Sequence, residues 1–200
     1  MPSLRSPLFW FILSLITAAG LTAVGPQQAS LSANVRIVYL YEAWELSAEI
    51  VLGLAAATGL LAILFRREAL HLWSAGLART GLFFWVTYLP LAVWALNAGW
   101  NDLFRTEIRF RAGVVFAVTG LLLQISLTLL ARPVLSSLAN VLFFAALQIT
   151  LTQTAYVTHP SPAPILGSGI LAIELYFIGV LLVTLMSAYF MTRWWLQQLT

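Results

Sequence analysis

Of 200 residues, 61% are hydrophobic and 8% charged, with a net charge of +3, whereas a soluble domain carries about a quarter charged residues. The basic residues are all arginine and too sparse for a nucleic-acid surface. With no cysteine there is no disulfide, thiolate metal site or cysteine nucleophile.

The expected solvent is therefore a lipid bilayer. The expected fold is all-α: a polytopic membrane helix bundle of six transmembrane helices with short loops, one integral domain over residues 1–200. Six apolar stretches carry this reading, at 7–24, 46–65, 78–96, 111–131, 136–156 and 168–192. Each can cross ~30 Å of hydrocarbon at 1.5 Å per residue. Helices are required because lipid offers no partner to an unpaired backbone group.

The first stretch follows Arg5 and precedes the small residues Ala23 and Gly25, which also suits a cleaved signal peptide. An uncleaved helix is preferred, since the apolar run exceeds the roughly 7–15 residues of a signal core. The segment 35–49, VRIVYLYEAWELSAE, reads as an outer loop. Its Glu42, Glu45 and Glu49 are spaced to share one helix face, which either meets cations or faces water. In the second span, Gly53, Ala55, Ala57 and Gly59 form two small-xxx-small pairs that admit another backbone closely. The inner loop after it holds Arg66, Arg67, Glu68 and a His71 expected to be solvated.

Pro90 should kink the third span in its outer half. The next outer loop, 97–111, reads NAGWNDLFRTEIRFR. Its Arg105, Arg109 and Arg111 either pair with the acidic stripe and hold the rim together, or receive carboxylates or phosphates of a ligand. Pro133 marks a tight inner turn between the fourth and fifth spans. The third outer loop, 152–168, carries His159 in YVTHPSPAP, where prolines enforce an extended path. His159 is either an ordinary polar residue or, as the outer face's histidine, a metal ligand of the kind that holds haem iron. Glu174, read as about two turns into the sixth span, must face the bundle interior and find a partner, a tyrosine or an outer arginine in the structural reading. It is the candidate intramembrane site. Trp194 and Trp195 read as aromatic anchors at the inner interface.

Arg5, Arg66, Arg67, Arg79, Arg132 and Arg193 fall on one side, and Arg36, Arg105, Arg109 and Arg111 on the other. The positive-inside rule puts the six-arginine side and both termini in the cytoplasm, the expected setting being a bacterial cytoplasmic membrane.

The segment RIVYLYEAW, Arg36 to Trp44, resembles the stretch that precedes the second span in the CcmC type of cytochrome c assembly protein. Gly99-Trp100-Asn101-Asp102 through Glu107-Ile108-Arg109-Phe110 is similar to a reduced form of that family's tryptophan-rich outer motif. Pro162 to Pro164, followed by Leu175-Tyr176-Phe177, is similar to its last helix, so the likeness runs from about Arg36 to Arg193. The resemblance implies a haem-handling membrane protein that presents or passes haem at the outer face, a role without catalysis. Tyr41, Trp44, Trp100, Arg105, Arg109 and His159 would form the site, with aromatic faces on the porphyrin, arginines at its propionates and His159 toward the iron.

The departures bear on the cofactor. Family members ligate haem iron with outer histidines, and Tyr41 stands where the first is expected. The second would fall near Thr152 or Gln153, and His159 lies seven residues beyond Thr152. Two further readings stay open. One is a cofactor-free scaffold or accessory subunit that binds other membrane subunits or assembly proteins through its helix faces and charged rim. The other is a small proton-coupled transporter using Glu49 and Glu174. No HExxH, GxSxG or paired acid-base constellation points to an ordinary hydrolase.

Overall fold

A computed structural model of the chain describes residues 6–26, 35–99, 108–154 and 165–199. Six helices run through them: α1 (Pro7–Val24), α2 (Val35–Phe65), α3 (Glu68–Gly99), α4 (Ile108–Leu130), α5 (Pro133–Gln153) and α6 (Leu171–Leu199). Each is long and apolar enough to cross a membrane, and no strand occurs among the described residues. The chain is an integral, multi-pass membrane protein.

Local chemistry sets several helix ends. Pro133 opens α5 at a first-turn position, where its missing N–H costs nothing. The α2–α3 and α4–α5 turns are two residues each, Arg66-Arg67 and Ala131-Arg132, and each begins with a non-glycine residue at positive φ, 52° at Arg66 and 48° at Ala131. That left-handed step reverses the chain at a cost of roughly 1–2 kcal/mol. These turns and the end of α6 define the short-turn end of the bundle; the long-loop end lies opposite.

α4 and α5 begin three residues before the spans read in the sequence, and three helices differ more in extent. α2 starts at Val35, so the first outer segment is helix, because no glycine or proline interrupts 35–52. α3 starts at Glu68, absorbing most of the expected inner loop, and continues through Pro90. α6 starts at Leu171 and runs to Leu199, so Trp194 and Trp195 lie inside it.

The antiparallel pair α2 and α3 forms the centre. α5 and α6 flank it, α1 lies against α6 and the edge of α2, and α4 lies against α3 and α5. Burial follows: 56% of the apolar window of α3 is buried, against 17% in α1 and 22% in α4. The exposed leucines, isoleucines and valines of the outer helices are the lipid-facing surface, where a soluble protein would carry charge.

Small residues set the central spacing. A Cβ on Gly59 of α2 would lie 2.8 Å from Ser74 Oγ and 3.0 Å from the Ser137 carbonyl oxygen, and one on Gly81 of α3 would lie 2.7 Å from Leu52 Cγ. Of the expected small-residue pairs, Gly53 meets the Phe144 ring of α5 and Ala55 is buried, whereas Ala57 is exposed.

Candidate functional site

The long-loop end gathers aromatic and acidic side chains on the first turns of α2. Tyr39, fully buried, donates its hydroxyl to the Pro26 carbonyl at 3.2 Å and meets the Tyr176 ring edge-on at 5.7 Å. The Tyr176 hydroxyl in turn donates to the Leu21 carbonyl, tying α6 to the end of α1. Tyr41 stacks on Tyr88 of α3 with ring centroids 6.3 Å apart and hydrogen-bonds the Glu45 carboxyl. Trp44 donates its indole N–H to Thr87 Oγ1 at 2.9 Å and packs 4.7 Å from the Phe84 ring. Beneath them Trp85 donates to the Gly113 carbonyl at 3.0 Å, bringing in α4. The result is an aromatic floor across α2 and α3, with the polar edges of Tyr41, Trp44 and Trp85 bonded to neighbouring groups.

The acidic stripe does not face water. Glu42 is 6% exposed and Glu45 is 9% exposed. The Glu42 carboxyl accepts the backbone N–H of Ile165, itself buried, which anchors the segment entering α6. Among the described residues its Oε2 has no hydrogen-bond partner. Glu49, half-buried, lies about two turns deeper along α2 than Glu42. A buried carboxyl oxygen without a partner is costly, and at the same end Arg36 Nε is likewise buried without a partner among the described residues.

The sequence-derived site is only partly within the described residues. Tyr41 and Trp44 share the face of α2 that meets α3. Trp100, Arg105 and His159 lie outside the described residues, as do Asp102 and Glu107. Arg109 falls on the first turn of α4 with its side chain outside the description, and Arg111 is exposed. Glu174 sits in the first turn of α6, not two turns in, because the helix begins at Leu171. Its carboxylate accepts the Gly169 N–H at 3.0 Å, a capping contact that also suits the positive end of the helix dipole. Glu174 is thus held at the mouth of the bundle. Among the described residues no group of three or more His, Asp or Glu side chains could hold a metal ion.

No family model matches the chain, and no curated protein or solved structure matches it significantly. Its site is therefore interpreted from its own geometry.

A second polar cluster lies toward the short-turn end, and sequence reading missed it. His71 is 7% exposed, not solvated, and its Nδ1 lies 2.6 Å from Ser137 Oγ of α5. One turn along, Asn140 donates to Ser74 Oγ at 3.1 Å and accepts from Gln124 Nε2 at 3.0 Å, while Ser74 Oγ donates to the Ala55 carbonyl at 2.8 Å. Four helices, α2 to α5, are joined by this chain of bonds. The signal lay in the i, i+3 spacing of His71 with Ser74 and of Ser137 with Asn140, two polar pairs in apolar surroundings.

Proposed function

We propose that the chain handles haem as cargo at its long-loop end, in the assembly of c-type cytochromes, presenting or passing it at the outer face of a bacterial cytoplasmic membrane. The observation that carries this reading is the aromatic floor. The RIVYLYEAW segment contributes Tyr41 and Trp44 to it, the segments bearing Trp100, Arg105 and His159 join helices at the same end, and Arg109 opens α4 there. A porphyrin needs flat aromatic contact, cations at two propionates and an iron ligand. Trp100, the arginines and His159 are chemically suited to supply them.

The buried acids set a limit on that arrangement. Glu42 and Glu45 offer propionates no counter-charge, so the porphyrin would lie with its carboxylates toward the arginine-bearing loop and its apolar edge toward the helices. Tyr41 is a poor iron ligand here, since its hydroxyl is engaged by Glu45. The iron ligand is assigned to His159. The six-to-four division of arginines supports placing this end outside and both termini in the cytoplasm.

A second reading, a cofactor-free subunit of a membrane complex, is favoured by one observation: the polar atoms of Tyr41 and Trp44 are both engaged within the bundle. A visible spectrum of detergent-purified protein from haem-supplied cells separates the two. Haem handling requires a Soret band that weakens in His159→Ala. A folded, reproducibly colourless protein that purifies with other membrane subunits would establish the second reading instead.

A further inference from the structure

Among the described residues α4 and α6 make no close backbone approach, and the strip of α3 between them is only partly covered, Phe83 meeting the Phe11 ring of α1. A groove of about 500 Å³ results, floored by Phe83 and Val86 and walled by Leu121, Ile125 and Leu129 of α4. That volume is within the ~300–1,000 Å³ usual for ligand sites. The groove spans Arg79 to Thr87 along α3, about 12 Å at 1.5 Å per residue. The hydrocarbon depth of one leaflet is about 15 Å.

One end of this apolar groove is charged. Arg79 donates through Nη2 to Thr128 Oγ1 at 3.1 Å and lies 5.4 Å over the Trp195 ring. Among the described residues no carboxylate pairs with it, and a guanidinium has five N–H donors. The Trp195 indole N–H, in the same lining, has no acceptor among the described residues. An arginine inside a membrane span is expensive unless it finds a counter-charge. Arg66, Arg67, Arg132 and Arg193 are all exposed at the same short-turn end, with Glu68 the one acid described there.

We infer that this groove is a binding site for an anionic phospholipid of the leaflet at the short-turn end. One acyl chain lies along α3 between α4 and α6, and the phosphate is received by Arg79. The guanidinium fork matches phosphate oxygens. The surplus of arginines favours a headgroup with net negative charge over a zwitterionic one, and the lateral opening lets the lipid enter from the bilayer.

Native mass spectrometry of the detergent-solubilised chain with phosphatidylglycerol or phosphatidylcholine of identical acyl chains tests this. The wild type should retain phosphatidylglycerol about tenfold better, a difference within reach of one charge-assisted contact. Arg79→Gln should lower that retention to the phosphatidylcholine level. Ile125→Trp, on the exposed wall, should lower retention of both lipids by filling the groove, and it gives the test a second arm should Arg79→Gln fail to fold. Equal retention of the two lipids by the wild type, a preference surviving in Arg79→Gln, or a second polypeptide occupying the groove in place of lipid would each overturn the inference.

Discussion

The two ends of the bundle treat buried polarity in opposite ways. At the short-turn end, His71, Ser74, Asn140, Ser137 and Gln124 are neutral or hydrogen-bonded side chains joined across four helices. At the long-loop end, Glu42 and Glu45 are buried, with one oxygen of Glu42 unpartnered among the described residues. In a bilayer a hydrogen-bonded network between helices holds a bundle together, because no water competes for its members. Unfinished polarity invites something to complete it. On the proposed reading, the hydrogen-bonded core of the short-turn end does the holding and the long-loop end recognises haem, while Arg79 and Trp195 at the lipid groove are the short-turn end's own unfinished polarity.

The largest effect expected from breaking the holding end comes from Gly59→Val. The new side chain would meet Ser74 and the backbone of Ser137, prising α2 from α3 and α5 at a cost of roughly 2–3 kcal/mol. An SDS-titration unfolding curve should record that loss. Next is Asn140→Leu, which removes the bonds to Gln124 and Ser74 and leaves both partners without it. About 1.5–2 kcal/mol of stability should go, measured the same way.

Smaller effects are expected at the recognition end. Trp44→Phe keeps the ring contact with Phe84 and loses the bond to Thr87, so unfolding should shift by about 0.6–1 kcal/mol. Glu42→Gln retains an acceptor for the Ile165 N–H and should change stability by less than about 1 kcal/mol. A loss of about 3–5 kcal/mol instead would mean that the carboxylate holds a cation, Arg36 being the nearest source in sequence. That outcome would make the acidic stripe a structural rim and remove it from the recognition account.

The spans were legible because bilayer-crossing helices declare themselves by apolar length, and the 7–24 boundaries coincide with α1. Charge misled at the ends. The three glutamates made 35–49 read as loop, yet a continuous helix can bury acids where Tyr41 of the same helix, itself stacked on Tyr88 of α3, and the Ile165 backbone before α6 bond to them. The same logic hid His71, whose arginine neighbours suggested solvent while its partner, Ser137, lies 66 residues away. Glu174 was displaced for a simpler reason: Gly169, at φ +70°, turns the chain before α6 and delays its start. Which aromatic residues form the floor depends on the pairing of α2 with α3. Tyr88 and Trp85 therefore carried no signal of their own.

The most direct test of this division of labour is haem occupancy per folded chain, read from Soret absorbance against protein, in the wild type, His159→Ala and Asn140→Leu at a temperature where all three are folded. The account predicts bound haem in the wild type, its loss in His159→Ala without a change in unfolding midpoint, and its retention in the less stable Asn140→Leu. Loss of haem in Asn140→Leu but not in His159→Ala, or a wild type that binds none, would contradict it.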